Sequence, residues 1–125
     1  MLSLVNLDAA SFCLLSIIKK EDFSVSDFKS KFESDEMNFL FDAILTLKDR
    51  EECYKFFEDI CTINEIKALE QRLHVAKMLK QGRTYLDIAG VTGASTATIS
   101  RVNRSLNYGS DGYNLVFERI EWRDK

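Results

Sequence analysis

The residues best suited to contact a ligand lie between positions 84 and 107, where hydroxyl and guanidinium side chains recur among small residues. Thr84, with Asp87 three residues later, and Ser95 are each predicted to cap the start of a short helix. Between the two helices, Gly93 offers the positive φ of a tight turn, and Ala89, four residues earlier, permits the helices to cross closely. This spacing predicts a helix-turn-helix.

The second helix of this pair is predicted to present a small and basic outward face, because Ile99, Val102 and Leu106 turn inward on a helical wheel. Small side chains let a helix enter the DNA major groove, hydroxyls read base edges, and arginines bind guanine or phosphate. A solvated helix end with ordinary capping hydroxyls is the alternative interpretation. The residues predicted to contact DNA are Thr84, Tyr85, Ser95, Thr96, Ala97, Ser100, Arg101 and Arg104.

The charge is unevenly distributed along the chain. The net charge of -3 and the pI near 5.2 would by themselves argue against a nucleic-acid partner. Residues 62–109, however, hold seven cations against three acidic side chains and carry +4, which leaves -7 for the remainder. This asymmetry indicates that one segment meets an anionic surface, although solvated helix faces that differ in sign would produce it too.

The composition favours an all-α fold of single-domain size. The 125 residues include no proline and five glycines, so long helices meet few breakers. Helical spacing of apolar residues predicts one helix from about Ser34 to Leu47, a second from Glu51 to Ile60, and a last one from Tyr113 to Trp122. With the helix-turn-helix and one long helix, about six core helices are expected.

The long helix is predicted to begin after Thr62, because the T-x-x-E pattern that it forms with Glu65 is a capping box. Gly82 is expected to end this helix. The predicted inward stripe is Ile66, Leu69, Leu73, Ala76 and Leu79.

Residues 1–33 are interpreted as an N-terminal extension and residues 34–125 as the helical domain. An extra helix from about Asp8 to Lys20 is left open, as is a native start near Met37 that would make the extension a gene-model artefact. The longest nearly apolar stretch is about ten residues, too short to cross a bilayer, and it lacks the basic leader of a secretory signal. A cytoplasmic protein without a membrane partner is therefore expected.

The residue pattern does not favour an enzyme or a metal site. The three cysteines show no CxxC spacing, and the lone His74 has no ligand-spaced companion, so we assign neither any chemistry. The sequence shows no nucleophile–base pairing and no glycine-rich phosphate loop. We expect a protein that is not an enzyme and that holds no metal or resident cofactor.

Three segments resemble the Trp repressor superfamily, most closely its YerC/YecD-like branch: residues 51–59, 71–79 and 92–109. The resemblance implies six helices per chain and an intertwined homodimer. It also implies that the paired reading helices meet successive major grooves of a palindromic double-stranded operator, about 34 Å apart.

The resemblance further implies an amino-acid corepressor, and two arginines beside a small pocket suit its carboxylate. The positions that match the corepressor site are Thr62, Arg72, Thr98, Arg101 and Ser105. A surface ion pair of Arg72 with Glu70 or Glu65, and a phosphate contact by Arg101, are the alternatives. Val102 stands where the repressor has a glycine that gives the indole room. Tryptophan, another amino acid and no effector at all therefore stay open.

The leading hypothesis is a dimeric, sequence-specific transcription regulator, a repressor that responds to an amino acid. One alternative is a constitutive DNA-binding protein with the same fold and no ligand. Another is a helical protein–protein adaptor that has lost DNA binding and uses the aromatic residues Tyr54, Phe56 and Phe57.

Overall fold

A computed structural model of the chain describes residues 26–120, in which every regular element is an α-helix. The all-α fold class is confirmed. The chain divides into two compact units, Met1–Thr46 and Leu47–Lys125. The helix anticipated from Asp8 to Lys20 lies outside the described residues. The prediction that the last helix runs to Trp122 is wrong, because this helix ends at Arg119 and its C-cap Ile120 has extended backbone. The boundary proposed at residue 33 stays a prediction.

The first unit contains helix α1, Asp35–Leu45, close to where the sequence predicts it. Ser34 is its N-cap, and the Ser34 side chain accepts a hydrogen bond from the backbone N–H of Met37 at 3.0 Å. Two acidic residues in the first turn favour the positive end of the helix dipole. Phe39 is 76% exposed within the chain, so α1 carries apolar surface that the chain does not cover.

The second unit contains five helices. They are α2 (Arg50–Ile60), α3 (Ile63–Lys80), α4 (Tyr85–Thr92), α5 (Thr96–Tyr108) and α6 (Gly112–Arg119). Helix α3 packs against both α4 and α5, α4 packs against α5, and α5 packs against α6. The six predicted core helices are therefore all present in the described residues.

Helix α3 begins with the predicted capping box. The Thr62 hydroxyl accepts from the backbone N–H of Glu65 at 3.2 Å, and the Thr62 N–H donates to the Glu65 carboxylate at 3.0 Å. These hydrogen bonds, first that from the Thr62 backbone, lower the pKa of Glu65 below its ordinary value of 4.5. The carboxylate therefore stabilises the fold above that pH, and its contribution is lost as the pH falls through the lowered pKa.

The C-terminal end of α3 is closed by Gly82, as predicted. Gly82 has φ +75°, its N–H donates to the Leu79 carbonyl at 3.0 Å, and the Arg83 N–H donates to the Met78 carbonyl at 3.1 Å. This pair of bonds is a Schellman motif, which satisfies the last carbonyls of the helix.

The core of the second unit lies where α3, α4 and α5 meet. Its buried side chains are Val75, Ala76, Met78, Ile88, Ala94, Ile99 and Val102. Partly buried Leu79, Ala89, Tyr113 and Phe117 pack around this cluster. Full burial of each large aliphatic side chain contributes roughly 1.5–3 kcal/mol, so this cluster holds the three helices together.

The predicted inward stripe of α3 is only partly right. Ala76 is buried, but Leu69 is 48% and Leu73 41% exposed, so their predicted burial is wrong for the single chain. Val75 and Met78 are buried instead. The physical reason is that α3 carries apolar residues on two faces, and only one of these faces meets α4 and α5.

The turn between α4 and α5 is built around Gly93, which has φ +71° and whose N–H donates to the Ala89 carbonyl at 2.9 Å. The Thr92 hydroxyl accepts from the backbone N–H of Ala94 at 3.1 Å. The side chain of Gln71 on α3 donates to the Thr92 carbonyl at 3.1 Å. The turn is thus fixed to α3 by a hydrogen bond as well as by the apolar core.

Replacing Gly93 by alanine tests the left-handed turn, because a Cβ meets no atom within 4 Å there and only the backbone conformation is penalised. We expect Gly93→Ala to lower the free energy of unfolding by about 1–2 kcal/mol. Gly90→Ala is the matched control: Gly90 lies within α4 with equal space, so alanine should stabilise by about 0.5–1 kcal/mol. Urea denaturation at fixed protein concentration measures both, and equal effects of the two substitutions would contradict the account.

Candidate nucleic-acid interface and adjoining pocket

The N-terminus of α5 is organised by Ser95. Its hydroxyl accepts from the backbone N–H of Thr98 at 3.1 Å and donates to the Thr98 hydroxyl oxygen at 3.0 Å. Ser95 is therefore the N-cap of the helix. Its exposed oxygen keeps one lone pair with which it could accept a hydrogen bond from DNA.

The two faces of α5 separate as the helical wheel predicts. Ile99 and Val102 are buried, while Leu106 is half-buried. The predicted DNA-contacting residues of α5 are all exposed: Thr96, Ala97, Ser100, Arg101 and Arg104. The helix thus offers solvent a surface of small side chains, hydroxyls and two guanidinium groups.

The other two predicted DNA contacts lie at the start of α4. Thr84 is its N-cap, and the Thr84 hydroxyl accepts from the backbone N–H of Asp87 at 3.2 Å. Tyr85, the first residue of the helix, is 38% exposed. The Asp87 carboxylate pairs with Arg83 at 3.4 Å, and because both side chains are about half exposed this pair contributes little to stability.

The two arginines of α5 have no acidic partner among the described residues. Within residues 26–120, neither Arg101 nor Arg104 has a carboxylate at ion-pair distance. Their charge is therefore available to an anion outside the chain, and the exposed face of α5 is cationic although the protein as a whole is acidic.

A pocket of about 400 Å³ lies beside this face. Its lining residues come from α3, α5 and α6 and are Arg72, Thr98, Arg101, Val102, Ser105 and Tyr113. Four of the five predicted corepressor positions are thus brought together. Thr62 is not among these lining residues; it is the N-cap of α3.

Two pocket residues are not among the predicted ligand contacts. Val102 belongs to the core, where it is 2% exposed, and it also lines the pocket. Tyr113 comes from α6, and no spacing within α5 could have identified it. Its ring stacks on Phe117 with centroids 6.3 Å apart.

The proposed surface ion pairs of Arg72 are absent from the described residues. Arg72 is half-buried and has neither Glu70 nor Glu65 within 4.0 Å, and Glu65 is instead hydrogen-bonded to Thr62. The guanidinium of Arg72 therefore faces the pocket without a carboxylate partner.

A second groove, of about 340 Å³, lies between α2 and α3. Tyr54 and Phe57 line it together with Ile66, and Tyr54 is 63% exposed. Phe56 and Phe57 contact each other edge to face, with ring centroids 5.4 Å apart. Of these three aromatic side chains, Tyr54 is exposed, whereas Phe56 and Phe57 are half-buried within the second unit.

The described residues contain no group of three or more histidine, cysteine or acidic side chains that could hold a metal ion. The solitary His74 is exposed on α3. Among residues 26–120, none of the helices has the length and apolar character that a bilayer span requires.

The chain is similar to known proteins in both sequence and structure. The family model described as Trp repressor protein matches residues 35–121. The uncharacterized protein YerC of Bacillus subtilis (strain 168) is 58% identical over 91 residues, which cover 73% of this chain and 88% of YerC.

Two solved structures share the fold. A TrpR-like protein from Eubacterium eligens ATCC 27750 has a TM-score of 0.73 and 64% identity, covering 78% of this chain and 100% of its own. A Staphylococcus aureus protein provisionally named a Trp repressor has a TM-score of 0.71 and 56% identity, covering 76% of this chain and 95% of its own. Because the family match spans most of the chain and the helices superpose on these structures, the chain belongs to the Trp repressor family.

Proposed function

We propose that this protein is a sequence-specific DNA-binding transcription regulator, a repressor, in which α5 reads the major groove. The observation that carries the proposal is the coincidence of the left-handed turn at Gly93 with an exposed cationic face on the following helix. Membership in the Trp repressor family supports a DNA-binding regulator rather than an enzyme. A cytoplasmic location, with access to DNA, belongs to the same proposal.

The exposed face of α5 has side chains suited both to position the protein on DNA phosphates and to read base edges. Ala97 is small enough for close approach to the groove floor and can meet a thymine methyl group, and Ser100 can donate to or accept from base edges. Arg101 and Arg104 can bind guanine or neutralise phosphates, since no carboxylate in the described residues competes for them.

The proposed regulator is a homodimer. In the second unit, Leu69 and Leu73 on α3, Val116 on α6 and its C-cap residue Ile120 are between 40% and 48% exposed. Leu73 and Ile120 line one cavity together with Phe117, and a second copy would bury this contiguous apolar surface. A two-fold dimer presents two α5 helices, so the proposed operator is palindromic.

The pocket beside α5 supports an amino-acid effector as part of this proposal. Arg72 belongs to α3 and Arg101 to α5, so one ligand held by both would tie the reading helix to the long helix. If bound ligand favours one setting of α5, it changes the affinity for DNA, and DNA changes the affinity for ligand by the same factor. A constitutive regulator would show no such coupling.

The homodimer predicts a solution mass of twice the 14.4 kDa of the chain, measurable by light scattering after size exclusion. Placing a charge on the uncovered face of α3 with Leu69→Glu should shift the mass toward that of one chain, because the carboxylate would be buried without a partner. Lys67→Glu, two residues away on an exposed position, is the control and should stay dimeric. A wild-type protein of single-chain mass would refute the dimer.

The proposed phosphate contact of Arg104 predicts a change in salt dependence. Arg104→Ala should weaken binding to a mixed-sequence duplex and reduce the slope of log affinity against log salt by about 1, because one fewer counterion is released. Lys55→Ala is the control, since Lys55 is paired with Glu51 on α2 at 2.9 Å. Fluorescence anisotropy titrations at several salt concentrations give both slopes. An unchanged slope in Arg104→Ala would remove this residue from the interface.

A further inference from the structure

The pocket beside α5 has an unusual lining for a small-molecule site. Pockets of a few hundred Å³ are usually lined mostly by apolar and aromatic side chains with few polar groups. Here five of the six lining residues carry a polar group, and only Val102 does not. The chemistry of the pocket is therefore that of a polar ligand.

The charged residues that line the pocket within 26–120 are both cationic. Arg72 and Arg101 approach the pocket from two different helices, and none of the described lining residues is acidic. Neither guanidinium has a carboxylate partner in the part of the chain that the structure describes. Two unpaired cations beside one cavity repel each other and are best satisfied by a ligand with an anionic group for each.

The hydroxyls of the pocket suit the same ligand. Ser105 and Tyr113 can donate to anionic oxygens, and Thr98 can do so too, because its oxygen accepts from Ser95 and keeps its own proton available. A ligand with two oxyanion groups would thus find three hydroxyl donors in the same lining as the two arginines.

The apolar surface offered to a ligand is small. Val102 is 2% exposed, so the one aliphatic side chain named in the lining offers almost no surface to a ligand. Tyr113 is engaged with Phe117 in a stacked contact with 22° between the ring planes, so one face of its ring is already covered. A large aromatic side chain would find little apolar surface to contact in this cavity.

We propose that this pocket takes a small hydrophilic molecule with two anionic groups, an amino dicarboxylic acid or a phosphorylated amino acid, rather than an aromatic amino acid. This inference rests on the proposed function and specifies the class of its effector. The two arginines hold one anionic group each, and the hydroxyls complete the hydrogen bonding.

Titration calorimetry on the full chain without DNA, in a buffer free of phosphate, tests the ligand class. The probes are L-aspartate, L-glutamate, O-phospho-L-serine, inorganic phosphate, L-leucine and L-tryptophan. At least one of the three amino acids that carry two anionic groups, which we call dianions, should bind. Comparing the affinities of aspartate and glutamate with that of phosphoserine shows whether a second carboxylate or a phosphate is preferred. Leucine and tryptophan should give no binding heat.

Variants assign the binding to this pocket. Arg72→Met keeps the length of the side chain but removes its charge, and it should weaken the dianion at least tenfold. Lys67→Met removes an exposed cation from the same helix and should leave the affinity unchanged. Ser105→Ala, a milder change at an exposed position, should weaken binding severalfold and provides a second test if Arg72→Met loses its helical circular dichroism.

Several outcomes would overturn the inference: binding of tryptophan but of no dianion, no binding of any probe, or dianion binding that both pocket variants retain in full. Inorganic phosphate bound as tightly as the amino acids would also overturn it, because a single oxyanion, such as a DNA phosphate, would then suffice. Duplex DNA titrated into the same preparation separates the two proposals. If DNA binds and no dianion does, only the ligand class fails; if no DNA binds, the proposed regulator fails.

Discussion

Ile99 and Val102 of α5 are buried in one cluster with Val75 and Ala76, and this packing fixes α5 to the long helix α3. The positions of the exposed face of α5 and of the pocket beside it depend on this contact. This packing leaves the opposite side of α5 in solvent, where the exposed arginines lie. Val102 belongs both to the cluster and to the pocket lining. The pocket therefore shares one residue with the packing that anchors α5.

The local structure could be predicted because its signals are short-range. Thr62, Thr84 and Ser95 each satisfy backbone N–H groups one turn ahead, so their types and spacing mark helix starts without knowledge of the rest of the chain. Gly82 and Gly93 adopt positive φ, which few other residues tolerate, and these positions mark helix ends. The inward face of α5 followed from periodicity because that helix has a single apolar face.

The tertiary contacts could not be predicted from the sequence, because they depend on which neighbouring helix each helix face packs against. Helix α3 carries apolar residues on two faces. One face packs against α4 and α5, and the other bears the exposed Leu69 and Leu73, but the periodicity of the sequence does not distinguish them. Tyr113 reaches the pocket from a separate helix, which only tertiary packing reveals. Thr62 matches a corepressor position in sequence, whereas in the structure of the single chain it is the cap of α3.

Selection of bound duplexes from a randomised DNA pool tests the central claim that α5 reads DNA as part of a symmetric pair. The account predicts a palindromic consensus whose half-sites are spaced by about one helical turn or a multiple of it, and the enrichment should disappear when Arg101 and Arg104 are both replaced by alanine. No enrichment by the wild-type chain would contradict DNA reading. An asymmetric consensus would contradict the two-fold pair, and a consensus that survives the double replacement would contradict the role of α5.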